Sequence, residues 1–204
     1  MSPILNHFNS AGLRSICEAI ENKETNSTPG IHVHVGAGDL SVVDVARLVR
    51  SYSAISPYIW PIMDREAKGY CKDVTSDNVS HWLAASRRAL KQNNFASATD
   101  VVYQQPDDRY RDLNLQALRQ HGTIEFRAMG PTYNYEHLVR WAWFCREMVN
   151  VSRLDLPQTL WTKVRSMSDV LSILLKYGSE GIPENWIEAE GGLGVEENSE
   201  SESE

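Results

Sequence analysis

No stretch of this sequence approaches the roughly eighteen consecutive apolar residues that a membrane-crossing helix requires. Cysteine is scarce. Cys17, Cys71 and Cys145 are an odd number with no CxxC spacing, which argues against a disulfide framework and a cysteine-rich zinc site and fits a reducing cytosol. The opening MSPILNHFNS lacks a basic segment followed by an apolar one, so no secretory signal is expected and a cytoplasmic location is. A G-x-x-x-x-G-K-[ST] phosphate loop and an HExxH helix are both absent. Nor is there internal repetition at a solenoid-like period.

An excess of positive charge is missing too. The 204 residues carry a net charge of −7, and its location matters. Glu188, Glu190, Glu196, Glu197, Glu200, Glu202 and Glu204 follow Trp186 with no Lys or Arg among them, so residues 1–187 are formally neutral (−7 + 7 = 0). Bulk charge therefore implies no nucleic-acid partner. The segment AEGGLGVEENSESESE has too few apolar groups to offset the entropy of ordering, and residues 188–204 are expected to form a disordered acidic tail on a body of 1–187. Hydrophobic residues at 42% and charged residues at 23% are what a globular body needs, and exclude wholesale disorder.

What is present reads as a mixture of elements. Leu13, Ile16, Cys17 and Ile20 fall at helical spacing within residues 8–23, before the turn formers of ETNSTPG. IHVHV, residues 31–35, alternates strictly and predicts a strand with Ile31, Val33 and Val35 on one face and His32 and His34 on the other. Ser41, with Asp44 three residues on, opens a second helix that Ser56-Pro57 is expected to interrupt. Residues 76–92 form a third helical pattern, with Val79, Leu83, Ala84 and Leu90 inward. RYRDLNLQAL (109–118) and GTIEFRAM (122–129) alternate as two more strands, joined by a loop short enough for a hairpin. Helices follow at 134–152, rich in aromatics, and around 167–176. Few strands and several long helices, mixed rather than alternating, define an α+β fold with a small antiparallel sheet beneath helices.

The polar faces of those strands carry the chemistry. His32 and His34 leave one face together, and so do Glu125 and Arg127, because Ile124, Phe126 and Ala128 take the other. Arg109 and Arg111 share a face of their segment. Imidazole and carboxylate together suit a divalent cation, and guanidinium suits phosphate oxygens. Spacing alone leaves other readings open: a solvated histidine face, a lateral Glu–Arg ion pair, or a zinc hydrolase built on His32, His34 and Glu125. His81, His121 and His137 read as surface or locally bonded residues, Cys71 and Cys145 as small buried hydrophobes, and the six tryptophans as core or interface aromatics.

GIHVHVGAGDLS, SPYIWPIMDREAKGYC, RYRDLNLQAL and HGTIEFRAMG, in that order, resemble the carboxylate–amine ligases related to glutamine synthetase. The amidoligase family, frequent in phage and bacterial gene clusters, is the nearest in pattern, with glutamate–cysteine ligase more distant. The resemblance covers about residues 5–150. It implies an ATP-dependent ligase that joins a carboxylate to an amine through an acyl phosphate, with Mg or Mn as the metal. By position it implies His32 and Glu125 as metal ligands and His34 as a neighbour of the ATP phosphates. It likewise assigns Arg127, Arg109 and Arg111 to phosphate or substrate carboxylate, Asn114 to a polar contact, and Arg65 to the nucleotide side.

One departure stands out. Members of that family open with a strand bearing a Glu-x-Glu motif, and the first thirty residues hold no counterpart, since Glu18 and Glu21 fall in a helix pattern. The expectation is a partial sheet whose missing part comes from a partner polypeptide. The alternative is an inactive remnant working as a binding or assembly module.

Overall fold

The computed structural model describes residues 11–20, 30–63, 71, 72, 74, 76–91 and 110–178. The acidic tail, Arg65 and Arg109 lie outside the described residues, as does Trp186.

The strict alternation around the histidines does form a strand, β1, Val33–Gly36. GTIEFRAM supplies β3, Thr123–Phe126. β3 is the central strand, antiparallel to β1 on one side and to the short β2, Leu113–Asn114, on the other. The register sets His34 opposite Glu125, and Asn114 opposite Glu125 from the other side. Backbone bonds from Ile31 to Met129 and from Ala37 to Gly122 lengthen the β1–β3 pairing beyond the ladder at both ends. The fold is α+β, as the pattern of elements indicated.

The apolar face is closed by helices. Helix α2, Val42–Ile59, begins at a full capping box in which Ser41 accepts from the Asp44 N–H and Asp44 accepts from the Ser41 N–H. α5, Tyr135–Ser152, is capped by Asn134, whose side chain accepts from the His137 N–H. Ile124, Phe126 and Ala128 reach complete burial beneath these two helices. Phe126 meets Tyr52 of α2 edge-on at 5.7 Å and Trp141 of α5 edge-on at 6.3 Å. Trp141 in turn stacks on Phe144 at 5.2 Å. Each such ring, taken from water, contributes on the order of 2–3 kcal/mol. α1, Ala11–Ile20, joins through a smaller cluster of Cys17, Tyr135 and Val139. Only part of its expected stripe faces inward, and Ile16 is 55% exposed. α3, Ser76–Lys91, buries Trp82 and Ala85, while Leu83 and Ala84 are half-buried. The last described elements are α6, Thr159–Thr162, and α7, Met167–Tyr177, the latter opened by a second capping box at Ser166 and Asp169.

Two expectations are corrected. Pro57 does not interrupt α2, which continues through it to Ile59 and then tightens into a 3₁₀ turn over Trp60–Ile62. A proline inside a helix costs about 3 kcal/mol, but Ile55 and Ile59 on either side are fully buried. Their packing holds the segment helical. RYRDLNLQAL is not a long strand either. Only Leu113 and Asn114 enter the ladder, and residues 117–121 coil into α4, Ala117–His121. The cause is local hydrogen bonding on both flanks. Asn114 Oδ1 accepts the Gln116 N–H at 2.9 Å and turns the chain, a route open to Asn through its short amide. Upstream, Tyr110 and Asp112 spend backbone groups on Lys72, in a parallel bridge between Lys72 and Arg111. α4 ends at Gly122, whose φ of 63° is left-handed and suits glycine. β2 and β3 are thus joined by a helical turn where a plain hairpin loop was expected.

Candidate functional site on the open face of the sheet

The polar face of β3 presents Thr123 and Glu125, with Arg127 following just past its end, because alternate residues share a face. β1 sets His34 beside them, His32 stands just before that strand, and β2 sets Asn114. Glu125 is the centre. His32 Nδ1 lies 2.8 Å from Glu125 Oε1, His34 Nε2 3.7 Å from the same oxygen, and Arg127 Nε 3.8 Å from it. Asn114 Nδ2 donates to the other oxygen, Oε2, at 2.5 Å. Since Asn114 Oδ1 is already engaged by the Gln116 N–H, the amide orientation is fixed and its NH₂ group faces the carboxylate. Arg127 is fixed through its backbone as well. Its N–H donates to the Asp112 carbonyl at 2.7 Å, and its own carbonyl accepts from the Cys71 thiol at 3.2 Å.

Burial by itself would raise the Glu125 carboxyl. Hydrogen bonds from His32 and Asn114, then the charges of His32 and Arg127, outweigh that and bring it down to about 2. His34 moves below its usual imidazole value, chiefly because burial disfavours its charged form. Glu125 attracts its proton, while His121, His32 and Arg127 oppose it.

A measurable pH dependence follows. A carboxyl lower in the folded chain than in the unfolded one contributes stability above its unfolded value near 4.5, lost as pH falls from there toward about 2. The size is roughly 3 kcal/mol. Denaturant midpoints compared between pH 6 and pH 3 are expected to fall steeply in the native protein and less steeply in Glu125→Gln. Equal slopes in the two proteins would show that Glu125 is not the linked group. His34 adds a smaller loss in the same direction, setting in as pH drops below its unfolded value of 6.5.

Beside Glu125 opens a cleft of about 440 Å³, lined by His34, Tyr110, Asn114, Gln116, Ala117, Gln120, His121, Glu125 and Arg127. Its far wall is α4. Of the residues singled out from the sequence, the structure brings together His32, His34, Asn114, Glu125 and Arg127, although His32 is not among the residues lining the cleft. Arg111 is half-buried, paired with Lys72 in a bridge whose hydrogen bonds are made by Tyr110 and Asp112, and does not line the cleft. Sequence reasoning missed Thr123 and His121. Thr123 shares the face of Glu125 by the same alternation that found Glu125. His121, which meets the His34 ring edge-on at 5.9 Å, reaches the cleft only because α4 replaces a loop.

Carboxylate oxygen suits Mg or Mn, whereas imidazole nitrogen is an awkward ligand for Mg and favours Mn of the two. Among the described residues, however, no group of three or more His, Cys, Asp or Glu is disposed to hold a metal ion. Both imidazoles address the same oxygen of Glu125 rather than a common point beside it. The donor set thus fits part of a coordination shell.

A small antiparallel sheet, packed under helices on one side and bearing an acid–imidazole–guanidinium cluster on the other, defines the class. This is an α+β protein with its candidate site on the open face of the sheet. Within that class the chain belongs to the amidoligase family, residues 1–149 matching the family model described as "putative amidoligase enzyme", and a ligase activity is what this membership supports. No curated protein and no solved structure matches the chain. Among the described residues, no helix is long and apolar enough to cross a membrane.

Proposed function

We propose that this chain is an ATP-dependent carboxylate–amine ligase, or one subunit of such an enzyme. The observation that carries the reading is the convergence of His32, His34, Asn114 and Arg127 on Glu125, at the edge of a polar cleft. Family membership supplies the reaction class.

The reaction has two displacements. A carboxylate oxygen of the acid attacks the γ-phosphorus of ATP and ADP leaves. The amine then attacks the acyl carbon, phosphate leaves, and the amine gives up a proton. Arg127 would neutralise charge on the transferring phosphoryl oxygens, at a backbone position held from both sides by Asp112 and Cys71. Asn114 keeps Glu125 oriented. His32 and Glu125 are the residues that would hold Mg or Mn, whose contribution is charge neutralisation beside the phosphates. Further ligands would come from substrate phosphates, water or residues outside those described. A partner polypeptide with a Glu-x-Glu strand is the proposed source. The alternative reading, an inactive binding or assembly module, takes its support from that same incomplete shell.

The test is Mn- or Mg-dependent ATP turnover by the full chain, alone and together with a candidate partner polypeptide. His32→Ala and Glu125→Ala are compared with the native protein. Turnover that requires the metal and disappears in both variants is expected. Undiminished turnover in both variants would remove the site assignment. Failure to bind ATP or Mn under any pairing would leave the module reading in place.

A further inference from the structure

His32, just before β1, and His34, within it, are not equivalent. His32 presents Nδ1 to Glu125 Oε1 at 2.8 Å, and an ionised carboxylate accepts but does not donate. The proton of that bond is therefore on Nδ1, and in the neutral ring the lone pair is on Nε2. His34 presents the opposite nitrogen. Its Nε2 is 3.7 Å from the same Oε1, while its Nδ1 is 2.9 Å from the hydroxyl oxygen of Thr123. A lone pair on Nε2 would be repelled by the carboxylate, whereas an N–H is attracted to it. Nδ1 is then the acceptor, and the Thr123 hydroxyl, free to rotate, donates to it.

We propose that Thr123 is a positioning residue that holds neutral His34 as the Nε2–H tautomer, making His34 a fixed hydrogen-bond donor in the cleft and not a cation ligand. At 3.7 Å the contact with Glu125 is too long to be a hydrogen bond. The Nε2 proton is consequently available to an oxyanion entering the cleft, which His34 lines together with Arg127 and His121. The tandem histidines thus have opposite tautomers and different uses. His32 spends its Nδ1 proton on Glu125, and His34 offers its Nε2 proton to an oxyanion in the cleft. That the oxyanion is a phosphoryl group rests on the ligase reading; the tautomer does not.

The two parts are tested separately. Long-range proton–nitrogen correlation spectra of the ¹⁵N-labelled full chain, recorded above the titration range of the ring, report which imidazole nitrogen is protonated. His34→Gln assigns the signal. The native protein is expected to show His34 protonated at Nε2. Thr123→Ser keeps that pattern, and Thr123→Val gives a mixture of the two tautomers. Inorganic phosphate serves as the probe and is expected to shift the His34 Nε2–H signal, binding roughly five- to tenfold more weakly in Thr123→Val. A native His34 protonated at Nδ1 overturns the proposal without recourse to any variant, and so does a Thr123→Val pattern identical to the native one. A Thr123-dependent tautomer that ignores phosphate upholds the positioning role and counts against the ligase reading alone.

Discussion

Truncating Trp141 to alanine is expected to remove about 3–5 kcal/mol of stability, the range for deleting a large buried aromatic. Trp141 is fully buried, stacks on Phe144, and stands edge-on to Phe126 of the central strand. Its loss opens a cavity directly beneath the strand that bears Glu125 and Arg127. Trp141→Phe should cost far less, under about 1.5 kcal/mol, because it keeps most of the ring volume. It also removes an indole N–H that is buried without a hydrogen-bond partner among the described residues. Urea unfolding of the two variants decides the matter. Comparable losses in both would mean that the indole nitrogen, and not ring volume, matters at this position.

In the proposed enzyme, Arg127→Lys is expected to lower turnover about 10²–10³-fold while leaving the fold intact. That is the usual range for losing one preorganised group that stabilises developing charge. Lysine keeps the positive charge but not the planar fork that grips two oxygens at once. Backbone placement is unaffected, because the Arg127 N–H and carbonyl are held by Asp112 and Cys71 whatever the side chain. Steady-state kinetics with ATP varied, beside a denaturation curve, separates the effects. Full activity in Arg127→Lys would reduce the guanidinium to a screening charge for Glu125.

Much of the site was legible because it obeys the simplest rule of strands. IHVHV and TIEFR alternate without exception, so their polar faces follow from counting, and antiparallel pairing brings His34 opposite Glu125. The helix start at Ser41 was equally accessible, since a capping box is written within four residues. RYRDLNLQAL misled because its fate depends on contacts that alternation does not encode. Lys72 claims the backbone near Arg111, and the Asn114 amide turns the chain after two ladder positions. His121 stayed hidden for the same reason, being placed by a helical turn expected to be a loop. Pro57 shows tertiary packing overriding a local preference: two buried isoleucines hold a helix that proline disfavours.

β3 has a hydrogen-bonded neighbour on each side, while α4, which walls the cleft, is a five-residue turn released by one left-handed glycine. The backbone that carries Glu125 is therefore paired on both edges, while the wall a visiting molecule would meet is a single helical turn. Exchanging the side chain of Gln120 or His121 would change that wall while leaving the strand pairing beneath Glu125 as it is. Selectivity in such a scaffold can drift while reactivity stays put.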